Sequence, residues 1–333
     1  MTTVVAIDAM GGDRAPGAIV AGAIAAIREV PDVHVLLVGD STAIKSVLPE
    51  GGLPPEVEIL HASETIAMAE EPAAAVRTKK DSSIVRAAEA VRDGKADAMI
   101  GAGNTGATMA GALLRMGRIK GVARPAIAVP IPVPGAERPQ LLVDGGATVD
   151  CQPEWLVQWA HLAVAYARLR LGVDAPTIGL LSNGEEAGKG DALRKAAFPL
   201  LQGIEGFTGN CEGRDLISNS PDIVLTDGFT GNVALKTMEG AMQRIAAMVF
   251  DVLSSTPEAV EAAKVVAPLL LAKAGELDPD ATGGALLLGI DGICIISHGS
   301  SGERAVVSAV RVAQSCVRDD VIARSKEAIG RAG

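Results

Sequence analysis

Short apolar runs recur along this chain at 4–8, 33–40, 57–62, 96–103, 126–133, 141–146, 177–184, 222–228 and 294–299. Several are apolar on both faces, as strands buried in a parallel sheet are, and many close on Gly, Asn or Asp, the residues of strand-to-helix turns. Segments with helical spacing, such as APGAIVAGAIAAIREV, lie between them. This alternation predicts an α/β protein of three layers, α/β/α, with helices on both faces of a mostly parallel sheet. Ligands in such folds bind beyond the carboxyl ends of the strands, where the glycine-rich turns gather.

With 333 residues and no low-complexity linker, the chain is expected to form one α/β/α unit over 1–333, or two intimately joined lobes. Only 2% of the residues are aromatic, so the core has to be filled by Ala, Val, Leu and Ile. One stretch breaks the rhythm. From 236 to 280 two helical patterns follow each other without a strand, and Thr256-Pro257 is a start signal for the second. This predicts a protruding helical hairpin. Val265, Val266, Leu269 and Leu270, between Lys264 and Lys273, suit either a dimer interface or a peripheral contact with a membrane.

The formal charge of −10, with both signs mixed along the chain, argues against a nucleic-acid binder. Cys151, Cys211, Cys294 and Cys316 form no C-x-x-C pair, and no His or Cys run has metal spacing, so the cysteines read as small core residues and no metal is expected. The N-terminus enters a strand without the basic start and apolar stretch of a secretory signal, and no apolar run approaches the ~20 residues that span a bilayer. A cytoplasmic protein, or one lying on the inner face of the membrane, is expected.

The turns carry the candidate chemistry. DAMGGD (8–13) sets Asp8, Gly11, Gly12 and Asp13 between a strand and a helix, where glycines either let backbone N–H groups approach an anion or simply make a tight turn. GAGNTG has the G-x-G-x-x-G spacing through Gly101, Gly103 and Gly106, with Asn104 and Thr105 inside it. That spacing invites a dinucleotide, but the acidic residue expected about 20 positions on is missing, and a phosphate or acyl cradle fits the same glycines. Lys189, between two glycines before a helix, is a point charge suited to phosphate or a solvated surface lysine. In TDGFTGNVALKT, Asp227, Thr230, Gly231 and Asn232 occupy another strand-to-helix turn; Asn232 could donate to a developing oxyanion or merely cap the helix. His298, Ser300 and Ser301 end the last strand, but G-x-S-x-G is absent, so no nucleophile elbow is formed.

Taken together, IDAMGGDRAP, EEPAAAVRTKKDSS, GAGNTGATMAG, TDGFTGNVALKT and ISHGSS resemble, in order and across almost the whole chain, the phosphate acyltransferases of bacterial phospholipid synthesis. Two places depart from that pattern. Arg14 stands where His or Asn is usual, and LLSNGEEAGKG replaces a turn more often written with Ile-Gly-Thr-Glu. The resemblance implies a fold similar to the isocitrate and isopropylmalate dehydrogenases, a homodimer, and no metal or nucleotide cofactor. It further implies transfer of a fatty acyl chain from acyl carrier protein to inorganic phosphate, with a membrane glycerol-3-phosphate acyltransferase consuming the product. On that reading Lys189, Asn232, Asp227 and His298 are catalytic candidates, and the residues of the other turns bind substrate. The acidic carrier would meet Arg77, Lys79 and Lys80, or Arg115, Arg118, Lys120 and Arg124.

Overall fold

Each apolar run identified in the sequence becomes a strand in the computed structural model, which describes residues 2–218, 220–276 and 279–332. The strands are β1 (Thr3–Asp8), β2 (Val33–Gly39), β3 (Val57–His61), β4 (Ala98–Gly101), β5 (Ala126–Ile131), β6 (Gln140–Val143), β7 (Ile178–Leu181), β8 (Phe207–Cys211), β9 (Ile223–Leu225), β10 (Ala285–Leu288) and β11 (Ile293–Ile296). The helices are α1 (Gly17–Glu29), α2 (Ser41–Ser46), α3 (Pro72–Thr78), α4 (Ser83–Arg92), α5 (Thr105–Arg115), α6 (Pro153–Tyr166), α7 (Ala192–Leu201), α8 (Gly228–Leu253), α9 (Pro257–Glu276), α10 (Pro279–Thr282), α11 (Glu303–Arg318) and α12 (Val321–Ala332).

The strands form one sheet in the order β3-β2-β1-β4-β11-β10-β5-β6-β9-β7-β8. Two parallel blocks, β3-β2-β1-β4-β11 and β6-β9-β7-β8, meet through antiparallel pairings at β11–β10, β10–β5 and β5–β6. Alternate residues of each strand face opposite ways, and the core divides accordingly. Val5, Ile7, Ile100, Leu141, Leu180 and Ile295 pack with α1, α6, α7, α11 and α12. Ala6, Met99, Ile127 and Cys294 pack with α4 and α5, and Leu142, Val224 and Leu181 with Leu235 of α8. Helices therefore cover both faces, as the alternation of runs requires.

β8 and β10 were not evident in the sequence. β8 (FTGNC) is an edge strand that is only partly buried and lacks alternation, and β10 (ALLL) is an alanine and three leucines behind paired glycines. The helical hairpin is present as α8 and α9, with Thr256 Oγ1 accepting from the Ala259 N–H at 3.1 Å to cap α9. α8 begins at Gly228, eight residues before the expected 236, because the whole TDGFTGNV turn is already its cap and first turns. Leu277 and Asp278 of the expected 236–280 segment lie outside the described residues. Beyond its first turns the hairpin stands out from the sheet, and Val265 (72% exposed), Leu269 (69%), Val266 and Leu270 are open to solvent. Among the described residues no helix is long and apolar enough to cross a membrane.

Trp159 is fully buried on α6 and donates its indole N–H to the Arg124 carbonyl at 2.9 Å. Trp159→Ala should lower unfolding free energy by about 3–5 kcal/mol, read from the urea midpoint at unchanged slope; a loss below 1 kcal/mol would contradict the packing described.

Candidate functional site

The turns after β1, β4 and β11 are pressed together backbone to backbone. A Cβ on Gly103 would lie 3.0 Å from Gly11 Cα, and one on Gly11 would lie 2.8 Å from both Gly103 N and Asp8 Oδ2. The Asp13 N–H donates to the Gly299 carbonyl at 2.8 Å, and Arg14 Nη2 to the Ser300 carbonyl at 2.6 Å, so the departure at position 14 serves to hold the β11 turn. Gly103 thus faces another part of its own chain where the dinucleotide reading of G-x-G-x-x-G wanted a pyrophosphate. Asn104 caps α5 by accepting from the Ala107 N–H at 3.0 Å, and its amide donates to the carbonyls of Ala67, Met68 and Glu70. Its side chain is spent on anchoring the 67–70 loop, which leaves the Thr105 and Gly106 end of α5 as the exposed part of this turn. Ser301 is buried with its hydroxyl 2.8 Å from that of Ser297, whereas His298 and Ser300 are exposed.

A second group of turns follows β6, β7 and β9. Asp144, buried after β6, accepts from the N–H groups of Ile127, Gly146 and Ala147 on Oδ1 and of Thr148 on Oδ2, at 2.7–3.0 Å. The first turn of α8 sits directly on this loop: a Cβ on Gly228 would lie 2.7 Å from Asp144 Oδ2, and one on Gly231 would overlap the Asp144 carbonyl oxygen. Asp227 caps α8, accepting from the Thr230 N–H at 2.9 Å, and pairs with Arg194. Burial alone would raise its pKa, but the Thr230 amide and hydroxyl and the Arg194 guanidinium hold it below the usual carboxylate value.

Because Asp227 is the cap, Asn232 is not. It lies one turn into α8, exposed, against Gly146, where a Cβ would come within 3.3 Å of Asn232 Cβ. Positions 232, 236 and 239 share one face of a helix. On that face Lys236 Nζ reaches Glu239 at 2.8 Å, and Glu239 lies 3.8 Å from His298 Nε2. A polar stripe along α8 therefore joins the two groups of turns, with Asn232 against the β6 turn and Glu239 against the β11 turn.

Lys189 is exposed in the 182–191 turn and has no carboxylate partner among the described residues. The turn is shaped by the Gly190 N–H donating to Asn183 Oδ1 at 2.8 Å. Lys189 makes no hydrogen bond with the other candidates. Of the two basic clusters, Lys79 is taken up by Glu70 and the Thr65 carbonyl, Arg115 lies beside Glu89 and the Val76 carbonyl, Arg118 is bonded to the Ala123 carbonyl, and Arg124 stacks on Trp155. Arg77, Lys80 and Lys120 are exposed without an ion-pair partner among the described residues. Burial pushes the thiols of Cys151, Cys211 and Cys294 up to about 12 and that of Cys316 up to about 11, so these cysteines are poor nucleophiles.

Sequence reasoning missed Arg194, Asp144 and Glu239. The D-G-G after β6 repeats the Asp-then-paired-glycine pattern after β1 and was a usable signal for Asp144; Arg194 and Glu239 sit inside ordinary helical spacing and gave none.

Residues 3–324 match the family model described as Fatty acid synthesis protein. The phosphate acyltransferase of Desulfitobacterium hafniense (strain Y51) is 46% identical over 98% of this chain and 97% of its own length, and that of Bacillus subtilis (strain 168) is 43% identical over 98% and 97%. This chain belongs to the phosphate acyltransferase family. Members of that family are acyltransferase enzymes, in line with the resemblance drawn from the motifs. The fold is shared more widely. A phosphotransacetylase from Streptococcus pyogenes superimposes with a TM-score of 0.60 at 15% identity, covering 94% of each chain. A 4-hydroxythreonine-4-phosphate dehydrogenase from Klebsiella pneumoniae does so at 0.55 and 13% identity, covering 95% of this chain and all of its own. The dehydrogenase-like architecture that the resemblance implied is thus present in a chain of the acyltransferase family.

Asp8 is fully buried at the first turn, where the loss of water raises its pKa to about 6 against the pull of the Met10 and Gly11 amides. The native state then holds a proton that the unfolded chain has released once the pH passes the ordinary aspartate value of 3.8. Its contribution is most favourable below about 4 and is lost as pH rises to about 6, an effect of up to about 3 kcal/mol. Asp8→Asn should remove this slope, so the variant gains on the native protein between pH 4 and 7 in urea unfolding; a constant difference across that range would refute the assignment.

Proposed function

We propose that this enzyme transfers a fatty acyl group from the thioester of acyl carrier protein to inorganic phosphate, releasing carrier thiol and acyl phosphate for phosphatidic acid synthesis. A phosphate oxygen attacks the thioester carbonyl, a C–O bond forms, the C–S bond breaks, and the thiolate takes up a proton. Phosphate is largely a dianion at neutral pH, by analogy with a phosphoserine second pKa near ~6, and a thiol of pKa about 8.5 leaves without a strong acid. The protein has mainly to align the reactants and stabilise an oxyanion, effects worth on the order of 7–11 and 3–4 kcal/mol.

The observation that carries this reading is the α8 stripe. An exposed Asn232 amide that caps nothing lies against the β6 turn, on the same helix that meets the β11 turn two turns later at Glu239. It is assigned to the thioester oxygen, Lys189 to the phosphate, and the backbone of Gly12, Thr105 and Gly106 to the cradle, which the contact of Gly11 with Gly103 holds in shape. Asp227 supports Asn232 by capping its helix, and His298 and Ser300 are secondary contacts at the rim.

Within the same reading, the acidic carrier docks on the face carrying Arg77 and Lys80. α3 and α5 lie side by side there, with Arg115 Nη2 3.5 Å from the Val76 carbonyl, so that Arg115 adjoins the cluster on α3. The hairpin lies on the inner membrane surface, delivering an apolar product toward a membrane glycerol-3-phosphate acyltransferase, and the active form is a homodimer.

Acyl-carrier thioester and phosphate, with acyl phosphate trapped by hydroxylamine, test the reaction directly; thiol release that does not depend on phosphate would end the proposal. Lys189→Ala should raise KM for phosphate, and Asn232→Ala should lower kcat by about 10²-fold or more without changing Tm. Leu269→Glu with Leu270→Glu should abolish liposome flotation and spare activity on soluble thioester; dissociation of a dimer instead would move these residues to the subunit interface.

A further inference from the structure

Arg194 is 6% exposed on the first turn of α7, an unusual place for a guanidinium. It donates from Nε to the Leu181 carbonyl at 3.1 Å, from Nη1 to Asp191 Oδ2 at 3.0 Å, and from Nη2 to Thr226 Oγ1 at 2.7 Å and to Asp227 Oδ2. Those four acceptors belong to the end of β7, the cap of α7, the end of β9 and the cap of α8. One planar fork therefore spans two separate strand-turn-helix units.

Capping α8 needs no arginine, since Asp227 Oδ1 already accepts from the Thr230 N–H. Capping α7 needs none either, since Asp191 Oδ1 accepts from the Arg194 N–H at 2.9 Å. What the side chain adds is a rigid tie between the two caps. A buried charge is costly unless its geometry is fully satisfied, so the tie is stiff in a way that a surface ion pair is not. The two elements it joins are the 182–191 turn, which carries Lys189, and the first turns of α8, which carry Asn232.

We propose that Arg194 is a positioning residue, buried beneath the site, that sets the distance between the phosphate turn and the oxyanion helix. It rests on the roles given above to Lys189 and Asn232. Lysine cannot replace it, because a single ammonium cannot reach Leu181, Thr226, Asp191 and Asp227 with the geometry of the fork.

The test measures steady-state kinetics with acyl-carrier thioester and phosphate, Tm, and amide hydrogen exchange on the free enzyme. Arg194→Met should raise phosphate KM and lower kcat, each by about 10-fold or more, as displacements near 1 Å do. Exchange should rise in 182–191 and 228–232 together. Adding Lys189→Ala should raise phosphate KM by less than the product of the two single effects, since both act through one turn. Arg194→Lys covers the case in which the methionine variant does not fold. It should keep most of the Tm and still lose kcat by several-fold, whereas native kinetics in a folded Arg194→Lys protein overturn the proposal. So does an Arg194→Met protein with lowered Tm and kinetics within twofold of native. If Lys189→Ala and Asn232→Ala are both silent while Arg194→Met still raises exchange in both segments, the tie stands and the roles assigned to those two residues fall.

Discussion

The seat of α8 on the loop after β6 is the constraint from which the site follows. Gly228 and Gly231 lie on the side of the helix that meets Asp144 and Thr148, and any side chain there would meet backbone or carboxylate oxygen. Contact this close fixes both the height and the rotation of the helix. Once the rotation is set, Leu235 enters the core against the sheet, and positions 232, 236 and 239 follow on the flank of that buried stripe, where they meet the turns. The sheet adds the second condition. Its two parallel blocks run in opposite directions, so their turns would not share a site unless one element crossed between them. α8 is that element, meeting the β6 turn at Asn232 and the β11 turn at Glu239.

The strands were legible because a buried parallel strand is apolar on both faces and stops abruptly at Gly, Asn or Asp, a pattern that survives without tertiary context. β8 carries no such mark, since an edge strand is half solvated, and β10 is too short for its leucines to declare a period. Turns that bear chemistry were legible for a related reason: glycine pairs stand out in any sequence. What they did there was not. Gly103 was open to a nucleotide or a cradle, and only its approach to Gly11 decides that the space belongs to the chain itself. Asn232 was open to capping, which the neighbouring Asp227 removes. Arg194 was invisible because a lone arginine in a helical pattern reads as solvated; its burial depends on carboxylates contributed by two different turns.

Charge is arranged against the overall balance of the molecule. The chain carries −10, yet several carboxylates around the turns are met by donors within the fold. Asp144 has four amide donors and burial holds its pKa up near 6, Asp8 is likewise raised to about 6, Asp227 answers to Arg194, and Glu239 to Lys236. Asp8 and Asp144 are still largely ionised at neutral pH, so it is the amide dipoles around Asp144 and the cations beside Asp227 and Glu239 that weaken the field reaching the α8 stripe. Asn232 and Lys189 are left with side-chain donors that no acceptor among the described residues claims. An anionic nucleophile can approach such a surface despite the net charge, which in this light bears on solubility and not on the site.

The hairpin separates two demands that conflict. A site built on backbone donors must be rigid, and it is held by glycine contacts and a buried ion pair. An apolar surface such as Leu269 and Val265 must remain open to be useful, and it would disorder the sheet if it packed there. Extending α8 from its seat past the sheet solves both at once: the first four turns are locked, while the later turns and α9 carry exposed Ile245, Met248, Val252 and Leu269 away from them. The same helix therefore runs from Asn232 to the apolar tip, and a displacement of that tip can reach the site only through the rotation that Gly228 and Gly231 already fix.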